Sequence, residues 1–178
     1  VGNSLGGGIV IEFARYFPQR VESLALVAPV GLRLAKRTYV LTRAPLVPDV
    51  LFRCFLQFSL LFGLEYEWAD VKNPKYRTMV QAYKRRVAEE PALGRSLLST
   101  ARHFPFEQLG PAFAAAGDLL RPVLVVWGDG DRTCPCAARD VRRLVPRADV
   151  VVVRGARHCV YTEFVGESAR AVVDHLRR

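Results

Sequence analysis

The sequence predicts an α/β layered fold built on parallel strands. Three short runs, Ser23–Ala28, Val123–Trp127 and Val150–Val153, are nearly continuous in apolar residues and bounded by Pro, Gly or charge. Strands buried on both faces of a parallel sheet have this character. Helical patterns separate the runs, and such alternation of strand and helix makes layers.

The first helix is marked by Ile9, Phe13 and Phe17, spaced four apart, and is stopped by Pro18. Ala138, Val141 and Leu144 line the segment after the second run. Ala169, Val172, Val173 and Leu176 mark a closing helix. Between Leu32 and Asp118 the character changes. That stretch has no clear strand pattern, and its helical pieces are punctuated by Pro45, Pro48, Pro74, Pro91 and Pro105. The expected organisation is a sheet-forming core from 1–31 and 119–178, with 32–118 inserted as a helical cap.

Within the insertion, Asp49, Arg53 and Gln57 recur every four residues and share one narrow helix face. The rest of the Pro48–Leu64 arc is Phe, Leu and Val. So wide an apolar arc is buried by protein, by a lipid-like ligand or by a membrane surface. Core packing is the ordinary outcome.

Composition removes several classes of function. With 51% hydrophobic and 24% charged residues the chain is globular, not disordered. No apolar stretch reaches the roughly 18 residues of a spanning helix. The net charge of +9 raises nucleic acid as a partner. However, the basic residues are scattered, and the densest group, Lys84–Arg86, is followed by Glu89 and Glu90. Without an aromatic-interleaved basic stripe, a solvated surface is the better reading and no nucleic acid is expected. Cys134 and Cys136 form C-x-C, not the C-x₂-C of structural zinc sites, so no metal is expected. Free thiols in a reducing, intracellular compartment account for the cysteines. The chain opens at Val1 directly on a motif, which suggests that an N-terminal part is missing.

That motif is Gly2-Asn3-Ser4-Leu5-Gly6, a G-x-S-x-G. In a tight strand-to-helix turn the serine takes a strained backbone, and its neighbours two before and two after must lack bulk. Gly2 and Gly6 supply that. Gly7 and Gly8 let the helix pack closely. Leu5 N–H, at a positive helix N-terminus, would serve as one oxyanion donor. Read alone, the pentapeptide also fits a Gly-rich helix start or an anion site.

The second constellation, Trp127–Pro135, follows a predicted strand. Parallel sheets collect catalytic groups at the carboxyl ends of their strands. Asp131 and Asp129 are competing carboxylates there, and either also suits turn chemistry. The third, Arg154–Cys159, carries His158, whereas His103 lies in the insertion and His175 in the closing helix. Ser4, Asp131 and His158 fall in the order nucleophile, acid, base.

These residues resemble the α/β-hydrolase superfamily of serine hydrolases. The resemblance rests on Gly2–Gly7, Phe17–Val21, Leu26–Pro29, Pro122–Pro135 and Gly155–His158. It implies the C-terminal part of that fold, with parallel strands, flanking helices and a helical cap insertion. The Pro122–Asp131 segment is then the strand delivering the acid, which favours Asp131 over Asp129. The elbow looks like that of esterases, lipases and carbon–carbon bond hydrolases. A serine nucleophile argues against epoxide hydrolases and dehalogenases.

The implied activity is hydrolysis of a carboxylic ester with an apolar acyl group, by a Ser4–His158–Asp131 triad and an acyl-enzyme, with no cofactor. The implied partner is a small ester or lipid-like substrate, with peripheral membrane contact through the cap. Alternatives are carbon–carbon bond hydrolysis, a non-catalytic ligand-binding protein of the same fold, and a membrane-associated interaction protein. Family members carry further strands and a second oxyanion donor before the elbow. Without these, the isolated 178 residues are expected to be marginal in stability and nearly inactive.

Overall fold

A computed structural model describes residues 1–34 and 65–178 of the chain. The apolar arc of Pro48–Leu64 and the face formed by Asp49, Arg53 and Gln57 therefore lie outside the described residues. Among the described residues the strands are β1 (Gly2–Asn3), β2 (Leu24–Val27), β3 (Val123–Gly128) and β4 (Asp149–Val153). They form one sheet in the order β1-β2-β3-β4, and every pairing is parallel. The register aligns Gly2 with Leu26, Leu26 with Val125, and Val125 with Val150.

Burial explains why the three apolar runs form strands. Every residue of β2 and β3 is buried, so neither strand shows an alternating polar face. β4 is only partly covered, with Val152 39% exposed, as suits the strand beyond β3. All strands run the same way, so their carboxyl ends share one edge. Ser4, Ala28, the loop after Gly128 and the loop after Val153 meet there.

Helix α1 (Leu5–Tyr16) packs through Gly7, Gly8, Ile11 and Ala14. The residues that mark its period in the sequence face the other way. Ile9 is 54% exposed, and Phe13 and Phe17 are also exposed, their rings 5.1 Å apart. The reason is steric: this helix approaches the chain after β2 too closely for large side chains. A Cβ at Gly7 would lie 2.7 Å from Pro29 Cβ.

Helices α2 (Pro74–Glu89) and α3 (Pro91–His103) follow in the insertion. Asn73 caps α2 by accepting from Lys75 N–H at 3.0 Å, and Pro74 takes the first turn. Arg85 and Arg86 pair on the same helix with Glu89 and Glu90, each at 3.1 Å. The densest basic group of the chain is thus matched by acid one turn later.

Helix α4 (Gly110–Asp118) lies within the range read as insertion, yet Ala112, Phe113 and Ala116 join the same buried cluster as β2 and β3. Helices α5 (Ala138–Leu144), α6 (Val160–Glu163) and α7 (Val165–Leu176) complete the described chain. In α7 the fully buried positions are polar. Ser168 and His175 face inward, while Val173 and Leu176 are exposed. Ser168 meets its needs locally, donating to Phe164 O at 2.8 Å.

Candidate active site

Ser4 stands between β1 and α1 with φ 49° and ψ −117°. A positive φ at a residue with a Cβ costs on the order of 1–3 kcal/mol and persists only where neighbours dictate it. Here they do. Ser4 N–H donates to Val27 O at 2.9 Å, and Ser4 O accepts from Gly7 N at 3.0 Å and Val30 N at 3.1 Å. The turn is closed so tightly that a Cβ at Gly2 would collide with Gly6 O and lie 2.5 Å from a Val10 methyl.

The expectation of a steric need at Gly6 is not met: a Cβ there would have nothing within 4 Å. The close contact at this turn is made by the Gly6 backbone, so the bulk restriction falls on Gly2. Leu5 opens α1, and its N–H belongs to the first-turn donors that a helix does not use itself.

The loop after β3 separates its two carboxylates. Asp129 Oδ1 accepts from Gly155 N–H at 2.8 Å and thereby ties this loop to the one after β4. Asp131 is 5% exposed and turns inward. Its Oδ1 accepts from Thr133 N at 2.9 Å and Cys134 N at 2.8 Å. Its Oδ2 lies 2.8 Å from His158 Nδ1. Trp127, fully buried, donates its indole N–H to Cys134 O at 2.9 Å and fixes the far side of the turn.

His158 follows β4 and is 5% exposed. Its Nε2 lies 2.9 Å from Ser4 Oγ. Because Asp131 Oδ2 can only accept, Nδ1 carries the proton of the neutral ring, and Nε2 is left to accept from the Ser4 hydroxyl. The loop after β4 closes on the loop after β3. Gly130 N–H donates to Ala156 O at 3.0 Å, and a Cβ at Gly128 would sit 2.6 Å from Arg157 O. The three side chains singled out in the sequence are therefore brought into one hydrogen-bonded line from three strand ends. His103 instead sits in α3 with Nδ1 2.8 Å from Ser99 O, and His175 is in α7.

A fourth group that the sequence did not reveal lies next to the line and acts on it through its charge. Glu67, ahead of α2, is half-buried, and Cys159 Sγ lies 3.9 Å from its Oε2. Burial pushes the Glu67 carboxyl above the ordinary carboxylate range; the charge of His158 opposes this and that of Asp131 adds to it. At His158, burial works against the imidazolium. The hydrogen bond and charge of Asp131, with the charge of Glu67, outweigh it and hold the pKa above the ordinary histidine value. Burial drives the Cys134 and Cys159 thiols far up, so both remain protonated. The only local hint of Glu67 is its place in an acidic, aromatic stretch, Glu65–Asp70.

A family model described as "Alpha/beta hydrolase family" matches residues 1–175. The chain belongs to the alpha/beta hydrolase family. Among the relatives of this chain, Lipase 3 of Moraxella sp. (strain TA144) is 26% identical over 170 residues, covering 94% of this chain and 52% of the lipase. The dihydrolipoyllysine-residue acetyltransferase component of the acetoin cleaving system of Cupriavidus necator is 32% identical over 186 residues, covering 99% and 45%. The 2-hydroxy-6-oxononadienedioate/2-hydroxy-6-oxononatrienedioate hydrolase of Burkholderia vietnamiensis is 27% identical over 192 residues, covering 100% and 62%.

This alpha/beta hydrolase chain thus spans about half the length of the first curated relatives it matches. Of solved structures, the 2-hydroxy-6-oxo-6-phenylhexa-2,4-dienoate hydrolase of Rhodococcus sp. strain RHA1 superposes with a TM-score of 0.69 at 21% identity, covering 99% of this chain and 63% of that one. A thermophilic esterase superposes with a TM-score of 0.65 at 23% identity, covering 99% and 64%. These likenesses are of fold.

Proposed function

We propose that the protein carrying this chain is a serine hydrolase that cleaves carboxylic esters with an apolar acyl group. One observation carries the reading: His158 bridges Ser4 Oγ at 2.9 Å and Asp131 Oδ2 at 2.8 Å within a buried site. In this reading His158 takes the Ser4 hydroxyl proton as Ser4 attacks the ester carbonyl. Asp131 fixes the imidazole tautomer and stabilises the imidazolium. Leu5 N–H supports the oxyanion, and a second donor comes from elsewhere in the whole protein. The leaving alcohol takes the proton back from His158. Water, deprotonated by the same base, then releases the acid and frees Ser4.

The part of the insertion ahead of α4 would form a cap over this edge of the sheet. Two contacts favour that placement: Glu67, bonded to Cys159 next to His158 in the chain, and Phe104, whose ring would lie 3.0 Å from a Cβ at Gly8. The lipase relatives agree with an apolar, lipid-like acyl group.

Carbon–carbon bond hydrolysis of a vinylogous diketone by the same three groups is the second reading, favoured by the 27% identical dienedioate hydrolase. Labelling of the full-length protein with a fluorophosphonate, against Ser4→Ala, tests the shared chemistry. Labelling lost in the variant supports an activated serine, and profiling p-nitrophenyl esters against a dienoate diketone then separates the two readings. A folded protein that never labels would sink both and leave a ligand-binding role.

A further inference from the structure

We propose that the segment Glu65–Asp70 is a strap that sets the position of His158, with Arg157 and Glu163 as the positioning residues that hold it. The inference rests on the proposed role of His158 as base. It deepens that role by naming what keeps the imidazole in line.

His158 lies in a loop, where the backbone has no ladder or helix to hold it. One side of that loop is secured by the acid loop, through Gly130 N–H on Ala156 O and Gly155 N–H on Asp129. The other side is secured by residues about ninety positions earlier in the chain. Both sequence neighbours of His158 bond to them. Arg157 Nη1 donates to Trp68 O at 2.9 Å and to Glu65 O at 3.2 Å. Cys159 N–H donates to Glu67 O at 2.9 Å. One turn further on, Glu163 accepts from Ala69 N and Asp70 N, one at each carboxylate oxygen, both at 2.8 Å.

The chemistry of these bonds makes the strap selective for its register. A guanidinium that meets two carbonyls and a carboxylate that meets two successive amides are charge-assisted pairs, each about twice as strong as a neutral bond. Shifting the strap by one residue would break both. Trp68 anchors it, fully buried and edge-on to Tyr76 with ring centroids 5.7 Å apart. Apart from Cys159 N–H on Glu67 O, the bonds run between two charged side chains and backbone groups, so they are removable one side chain at a time without changing the strap's own sequence. Neither side chain is placed on Ser4 or Asp131, so both act through His158.

The test uses the full-length protein with Arg157→Ala, Glu163→Ala and the double variant. Two quantities are read besides fold: the limiting rate constant of fluorophosphonate labelling, separated from probe affinity, and the low-field proton resonance of His158 Nδ1–H. A strap that positions His158 predicts a limiting rate lowered by about 10- to 100-fold, the scale of a misplacement near one ångström. Probe affinity would stay unchanged, and the resonance would be broadened or lost while the cooperative melt is retained.

Hydrogen exchange at Ala69, Asp70 and Cys159 shows whether the strap has been released. A released strap with wild-type labelling and an intact resonance overturns the proposal. Should the alanine variants fail to fold, Glu163→Gln and Arg157→Lys keep the size of each side chain and meet the same two criteria. If the wild type never labels, the resonance alone decides. Its loss on release upholds the strap while the hydrolase reading falls.

Discussion

Asp129 and Asp131 lie two residues apart on one loop and bond in different directions. Asp129 reaches across to Gly155 N–H at 2.8 Å, and Asp131 turns inward to His158 Nδ1 at 2.8 Å. The loop after β3 is thus stitched to the loop after β4 by one carboxylate and leaves the other to the imidazole.

Replacing each aspartate should therefore give different losses. Asp131→Asn would keep the volume but present the wrong hydrogen-bonding partner to Nδ1, and turnover is expected to fall by about four orders of magnitude. Asp129→Ala would remove one bond between loops, costing about 1 kcal/mol of stability and leaving turnover within a few-fold. Steady-state kinetics with an ester and urea melts of both variants check this. A larger catalytic loss at Asp129 would transfer the acid role to it.

The two glycines of the elbow differ in the same way. At Gly2 a new methyl would meet the Gly6 carbonyl and Val10, and backbone cannot yield cheaply. Gly2→Ala is expected to cost about 1–3 kcal/mol, as overpacking does. At Gly6 a methyl would enter open space. Gly6→Ala in a helical turn should then be neutral or stabilising by up to about 1 kcal/mol. Equilibrium denaturation of the two variants in the full-length protein decides it, and equal destabilisation would show that open space at Gly6 is filled by another part of the protein.

What was legible in the sequence is what acts locally. Nearly continuous apolar runs reported β2, β3 and β4 because both faces of a parallel strand need apolar cover. Gly2 and Ser4 announced a tight turn because few other residues permit one. Asp131 and His158 could be placed at the same sheet edge because parallel strands end together.

Facing direction was less legible. Ile9, Phe13 and Phe17 have helical spacing, but the close approach of α1 selects Gly7, Gly8, Ile11 and Ala14 for the inside. In α7, Ser168 occupies a buried position because a local carbonyl satisfies its hydroxyl, which no hydropathy pattern reports. Glu67 was invisible for a third reason. Its meeting with Cys159 depends on how a proline-punctuated insertion returns to the sheet, across more than ninety residues.

Glu67 should show itself in the pH dependence of the reaction. Its ionised carboxylate adds to Asp131 in stabilising the imidazolium and so raises the pKa of His158. Removing that charge with Glu67→Gln lowers the His158 pKa. The acidic limb of kcat/KM reports the base in the free enzyme, and it would move to lower pH. A profile of kcat/KM from pH 4 to 8 on wild type and variant checks the direction. A limb that stays in place would mean that Glu67 is protonated throughout the titration of His158.

His175 gives a pH effect of the opposite sign, on stability and not on turnover. It is 3% exposed, and burial holds its pKa below the ordinary histidine value. The charge of Asp149 and a contact with the Leu24 backbone work the other way, and Arg178, itself 2.6 Å from Asp149, adds to the depression. A depressed folded-state pKa means that the unfolded chain binds protons first. Stability is then full above the unfolded value of about 6.5 and declines as pH falls from there toward the folded-state pKa. The raised pKa of His158 acts in reverse, contributing stability below about 6.5 that is lost as pH rises through its folded-state value. The two are separated by substitution. His175→Gln, compared with wild type in urea melts between pH 4 and 8, should flatten the acid-side decline while leaving the change above neutral pH in place. An unaltered acid limb would place the proton uptake at another group.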